Sequence, residues 1–230
     1  MILESREASG GTWDLFRYPG IRSDSDMYTF GYGFKPWNDK SSIADGHKIL
    51  RYIREAAAEY DVEQHIRYQH KVLSANWSST NQRWLVTAEL GDTGEQVTID
   101  CQFIFSCSGY YDYDQGYTPE FAGIDKFKGQ VVHAQHWPEK LNYKDKRVVV
   151  IGSGATAVTL VPTMSKDTAS LVMLQRSPTY IASVPKEQPL AETLRKWLPD
   201  SWVFRLIRWK QVLFQIYLYQ LSRRNPQRLR

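Results

Sequence analysis

The chain has 230 residues, enough for one large domain or two small ones, with 42% hydrophobic and 23% charged residues and 8 Trp, 14 Tyr and 9 Phe. This composition can fill a sizeable core, and it excludes a disordered, collagen-like or disulfide-dense chain. The net charge of +4 is local: residues 201–230 hold seven basic residues and no acidic one, so the first 200 are net acidic and a broad nucleic-acid-binding surface is excluded.

Ile2-Leu3-Glu4 reads as the end of a strand, with Glu4 where a second strand of a dinucleotide-binding unit would hold a ribose diol. Residues 10–40, rich in Gly, Pro, Ser and Asp, form a loop region too aromatic to be a linker. Asp45 is placed to cap a helix running to about Tyr60, with Ile49, Tyr52, Ile53, Ala56 and Ala57 on one face. Strands are expected over 66–75, 83–90 and 95–107, the middle one alternating at Trp84, Val86 and Ala88. Cys101 and Cys107, the two cysteines, would lie about 20 Å apart along the last strand, against the roughly 7 Å a disulfide spans. That fits a reducing compartment. No apolar run reaches the roughly 18 residues of a membrane span, and residues 1–20 lack a signal-peptide pattern, so a cytoplasmic location is expected.

Residues 108–146 are irregular, and the boundary between two α/β parts falls within them. The apolar run Arg147-Val148-Val149-Val150-Ile151 reads as a central strand of a parallel sheet. Gly152-Ser153-Gly154-Ala155-Thr156-Ala157 then fits G-x-G-x-x-G/A between that strand and a helix over 154–165. Gly152 permits the tight turn, Gly154 lets a pyrophosphate approach the backbone, Ala157 lets the helix pack on the sheet, and the helix N-terminus offers N–H groups to phosphate. A strand over 170–175 completes the βαβ unit. Where an NAD site carries a carboxylate about 20 residues after its first glycine, this chain has Gln175 and Arg176; the guanidinium suits the 2′-phosphate of NADPH. Helices are expected over 190–222.

Three stretches carry a family resemblance. Gly10-Gly11-Thr12-Trp13 with Arg17-Tyr18-Pro19-Gly20 and Arg22-Ser23-Asp24 resembles the GGTW…RYPGxRxD stretch of class B flavoprotein monooxygenases, and its wording is similar to that of the bacterial ethionamide-activating ones. Residues 127–138, FKGQVVHAQHWP, match the Baeyer–Villiger fingerprint F-x-G-x-x-x-H-x-x-x-W-P, and the glycine turn at 152–157 is the third.

The resemblance implies an α/β fold of two dinucleotide-binding (Rossmann-like) domains, the first incomplete at its N-terminus. Residues 1–108 would be a partial FAD-binding domain and 109–146 a linker bearing the fingerprint. Residues 147–230 would be the NADPH-binding domain with the start of a helical insertion. It further implies an FAD- and NADPH-dependent monooxygenase that places one oxygen of O2 into a ketone or onto a sulfur through a C4a-peroxyflavin. On this chain Glu4 would hold the FAD ribose, Thr12, Trp13, Asp14 and Leu15 would contact FAD, and Val72 would meet the adenine through its backbone. Arg22, Ser23 and Asp24 would lie where flavin and nicotinamide meet, with Asp24 and His133 as the catalytic candidates. Gly152, Ser153, Gly154, Ala155, Thr156 and Ala157 with Gln175 and Arg176 would hold NADPH. The family's first glycine motif and its downstream arginine have no counterpart among these residues, so the chain is expected to be a fragment with little activity of its own. A non-catalytic dinucleotide-binding or interaction fragment is the alternative.

His133 and His136 lack a third ligand of metal-site spacing, so no metal is expected. The basic tail has Trp202, Leu206, Trp209, Leu213 and Ile216 at alternating four- and three-residue spacing. Two readings stand: peripheral contact of 201–222 with an anionic membrane surface, or helix packing on polypeptide beyond Arg230.

Overall fold

A computed structural model describes residues 1–177, 181, 183, 185–225 and 227. In chain order its elements are β1 (Ile2–Leu3), α1 (Thr12–Leu15), α2 (Met27–Phe30), α3 (Gly46–Glu59), β2 (Ile66–Arg67), β3 (His70–Ser78), β4 (Arg83–Leu90) and β5 (Gln96–Cys101), followed by β6 (Arg147–Ile151), α4 (Ala155–Met164), β7 (Ser170–Leu174), α5 (Pro189–Arg195) and α6 (Asp200–Arg224). The chain divides into two compact units, one of residues 1–18 and 49–141, the other of residues 19–48 and 142–230. The grouping is discontinuous where the sequence suggested a linear order: the loop after Gly20 associates with the later part of the chain, and the fingerprint segment with the earlier part.

In the first unit β1 pairs in parallel with β2, Ile2 opposite Ile66. The β3-β4-β5 sheet is antiparallel, with a bulge between Val72 and Ser74 and Trp77 opposite Trp84, their rings 5.5 Å apart edge to face. Alternation holds on β4, where Val86 and Ala88 are buried while Leu85 is exposed. The face of α3 that the sequence marks is the buried one, at Ile49, Tyr52 and Ala56. Each large apolar side chain so buried contributes about 1.5–3 kcal/mol. Asp45 does not act as expected: its carboxylate meets Lys186 Nζ at 3.2 Å, and the N–H of Lys48 bonds its backbone carbonyl.

β5 ends at Cys101, so Cys107 is not on it, and both thiols are free. Phe103 and Phe105 have strand composition, yet a strand exists only beside a partner and none pairs with residues 102–107 among those described.

In the second unit β6 and β7 pair in parallel, joined through α4, in register from Arg147–Ser170 to Ile151–Leu174. Inward residues of α4, Ala157, Leu160 and Met164, are buried. One face of the pair is open: Val149, Ile151, Val172 and Leu174 are each more than half exposed. β6 also has β7 as its one strand neighbour among the described residues, where the sequence leads to the expectation of a central strand. α6 packs its first turns on α2, burying Val203, Phe204 and Ile207, with the Phe204 and Tyr28 rings 6.0 Å apart. Arg208 Nη1 donates to the carbonyls of Tyr28 (3.0 Å) and Gly31 (2.8 Å), satisfying groups at the end of α2. For this buried face the packing partner is upstream in the chain. The residues singled out by spacing form a different, exposed face of α6, because both sides of this helix are apolar and spacing alone does not say which one finds a partner. Among the described residues no helix is long and apolar enough to cross a membrane.

Candidate functional site

The glycine turn of the second unit is built by the strand pair. Gly152 has φ +129°, a conformation that disfavours any residue with a Cβ, and its N–H bonds the carbonyl of Leu174 at 2.8 Å. That bond, with Ile151 opposite Leu174, sends Gln175 and Arg176 out of the sheet beside the turn, both exposed. Gly154 is the N-cap of α4, with φ −77° and ψ −177° and no side-chain cap. A Cβ built on Gly152 or Gly154 meets nothing within 4 Å, so the space in front of the helix N-terminus is open. Ala157 is buried, as a helix lying close on its sheet requires, and Thr159 Oγ1 bonds the Ala155 carbonyl at 2.8 Å. The turn leaves the first-turn N–H groups and the positive end of the helix dipole facing open space, with Arg176 exposed just past the end of β7.

Also in the second unit, Arg22 forms an isolated bridge with Asp45, and Ser23 is buried. The Ser23 N–H bonds the Ala44 carbonyl at 2.8 Å and its Oγ accepts from the Ala44 N–H at 3.0 Å. Ser23 is therefore a clamp between two loops, holding Arg22 and Asp24 exposed on either side. Two residues on, buried Asp26 caps α2, accepting from the N–H groups of Tyr28 and Thr29 at 3.1 Å each. Burial pushes the Tyr28 hydroxyl above its ordinary pKa, against the opposing pull of Arg195.

In the first unit Glu4 directly follows β1. Its carboxylate accepts from the Arg6 N–H at 2.9 Å, while its backbone bonds Arg67 and His70. Val72 lies two residues beyond His70 on β3 and is exposed. In the turn at 12–15 the functional groups face different ways. Thr12 Oγ1 is 3.2 Å from the Tyr113 hydroxyl, and Trp13 and Leu15 are half-buried. Asp14 is buried among three arginines: Arg6 Nη2 and Arg54 Nη2 at 2.7 Å and Arg17 Nη2 at 3.5 Å. Arg6 and Arg54 also donate to the carbonyls of Gly11 and Ser9, so the aspartate is the centre of a cluster that fixes the loop between β1 and α1.

His133 begins the short 3-10 turn Ala134–His136, with Nδ1 accepting from the Gln135 N–H at 3.2 Å, which puts the proton of the neutral ring on Nε2. The ring lies over Gly116, where a Cβ would come within 2.3 Å of it. The Gln135 side chain donates to the Asp112 carbonyl, tying the fingerprint to the loop before it. Within the first unit the fold holds Glu4, Thr12–Leu15, Val72 and His133, and within the second Arg22–Asp24, 152–157 and 175–176. Sequence reasoning missed Arg6, Arg54, Tyr113 and Gly116. They serve residues far away in the chain and carry no local pattern. Asp26 alone had a signal, an aspartate directly before a short apolar turn.

The chain matches the family described as flavin-binding monooxygenase-like over residues 22–191. It is 54% identical over 230 residues to the FAD-containing monooxygenase EthA of Mycobacterium tuberculosis, covering 100% of this chain and 47% of that protein. Among solved structures, OTEMO in complex with FAD and NADP is 33% identical with a TM-score of 0.64, covering 77% of this chain and 34% of that one. An oxidized steroid monooxygenase bound to NADP is 31% identical with a TM-score of 0.66, again over 77% of this chain and 34% of that one. The chain spans about half the length of the curated relatives it matches.

Proposed function

Because the chain belongs to the flavin-binding monooxygenase-like family, we propose that it supplies the NADPH-binding unit and part of the FAD-binding unit of an enzyme that transfers one oxygen atom from O2 to a ketone or a sulfur. The observation that carries this reading is the open turn at Gly152–Gly154 with Arg176 leaving the sheet beside it. A Cβ at either glycine would project into the space a pyrophosphate needs, so the residues present fit the group.

When bound, NADPH supplies the reducing hydride and FAD the site where dioxygen is activated. The chain's own residues bind and orient. The N–H groups of Ala155, Thr156 and Ala157, with Ser153, receive the pyrophosphate, while Arg176 with Gln175 holds the 2′-phosphate. Glu4, its carboxylate steadied by the Arg6 N–H, accepts from the FAD ribose. The turn Thr12, Trp13, Asp14 and Leu15 would contact FAD, and the arginines on Asp14 fix that turn. The Val72 backbone would meet the adenine. Exposed Arg22 and Asp24, held by buried Ser23, would present charge to the bound cofactors. His133, the other catalytic candidate, would donate through Nε2, since Nδ1 of its neutral ring accepts from the Gln135 N–H.

The test is a chimera in which this chain replaces the corresponding residues of EthA. Oxygenated product, peroxide and NADPH consumption are measured together, with a ketone and a thioether as substrates. NADPH-dependent product from either substrate is expected. A chimera that binds both cofactors but yields neither product nor NADPH-dependent peroxide overturns the reading.

A further inference from the structure

We propose that the exposed face of α6 docks on an anionic lipid surface. α6 has two apolar faces, and the fold uses one. Val203, Phe204 and Ile207 are buried against the rest of their unit, whereas Trp202 is 58% exposed, Trp209 65% and Leu213 60%, with Leu206 and Ile216 exposed beside them. At about 100° per residue these five fall within a sector of about 80°, running about 21 Å along the helix. Arg205 borders that sector on one side and Lys210 on the other, both exposed, and Arg224 continues it. Among residues 201–225 there is no acidic side chain. The one acid at the start of the helix, Asp200, lies 3.2 Å from Arg195 Nε.

This charge arrangement selects the occupant. A second copy pairing along the same stripe would bring Arg205 and Lys210 against like charges with no carboxylate along the stripe to neutralise them, since Asp200 lies on the other side of the helix and meets Arg195. A lipid surface takes the same groups favourably: Trp rings settle at the headgroup level, apolar side chains enter the acyl boundary, and long basic side chains reach back to anionic headgroups. Each basic residue near such a surface strengthens binding by about fivefold. Docking here is independent of the oxygenation chemistry proposed above.

The experiment is co-sedimentation of the 230-residue chain with large vesicles of phosphatidylcholine alone or mixed with phosphatidylglycerol, at low and high salt, alongside its sedimentation velocity without lipid. The chain is expected to partition onto the anionic vesicles, to release at high salt and to leave neutral vesicles largely bare. The W202Q/W209Q variant, changed only at exposed positions, should lose binding at least tenfold with unaltered circular dichroism, and R205Q/K210Q should lose the preference for anionic lipid. Equal partition onto neutral and anionic vesicles, no partition, partition unchanged in W202Q/W209Q, or a dimer that this variant dissolves would each overturn the proposal.

Discussion

Removing the carboxylate of Asp14 should loosen the loop between β1 and α1, and the contacts set the size of the effect. Arg6 and Arg54 each approach Asp14 at 2.7 Å, with the aspartate side chain 10% exposed, Arg6 22% and Arg54 41%. A hydrogen bond to a charged partner contributes about 1.5–3 kcal/mol net when shielded from water, which describes the Arg6 contact. The Arg54 pair is open to solvent and screening reduces it to about 0.5–1 kcal/mol. Arg17, at 3.5 Å and 55% exposed, contributes close to nothing. Asp14→Ala should therefore cost about 2–4 kcal/mol, Arg6→Ala about 1.5–3, and Arg17→Ala less than about 0.5. Urea unfolding followed by tryptophan fluorescence reads these values, since Trp13 sits in the affected turn. A double-mutant cycle of Asp14→Ala with Arg6→Ala should return a coupling of at least about 1 kcal/mol. A loss below about 1 kcal/mol for Asp14→Ala, or equal losses for Arg6→Ala and Arg17→Ala, would refute the claim that this cluster orders the loop.

Gly154→Asp should separate stability from binding: aspartate is a favoured N-cap, so the melting temperature should hold or rise, while its carboxylate repels the pyrophosphate and NADPH affinity falls at least tenfold in a fluorescence titration. Gly116→Ala should cost about 1–3 kcal/mol in urea unfolding by displacing the His133 ring, and the loss should shrink when His133 is also alanine. The Asp39 carboxyl is raised by burial but drawn further down by hydrogen bonds from Lys48 and the Ser41 N–H, so its pKa lies below the ordinary aspartate value. A lowered folded pKa contributes stability above the unfolded value of about 3.9 and loses it as pH falls through the lowered one. Asp39→Asn should accordingly be less stable than the wild type at pH 6, with the gap closing below about pH 4 in thermal melts.

What the sequence disclosed is what depends on neighbours close in the chain. The period of α3, the alternation of β4 and the strand–glycine turn–helix at 147–164 are local patterns, and all three formed as read. What stayed hidden depends on a distant partner. The loop 19–48 gives no sign that α2 receives α6, because Tyr28 and Phe204 are 176 positions apart and either apolar face of α6 could have been the buried one. The cluster around Asp14 was hidden for the same reason, because the arginines that meet it lie 8 and 40 residues away. Residues 102–107 failed as a strand for the same reason: composition favours extension, but a ladder needs a second strand.

The central claim, that residues 152–157 and Arg176 form an NADPH site, is tested most directly by the dissociation constants of NADPH and NADH for the wild-type chain and for Arg176→Ala. The wild type should bind NADPH more tightly. Arg176→Ala should weaken NADPH by about 1.5–3 kcal/mol, about 10- to 150-fold, the scale of a charge-assisted contact to the 2′-phosphate, and leave NADH nearly unchanged. Equal losses for both dinucleotides, or a wild type that binds NADH as tightly as NADPH, would contradict it.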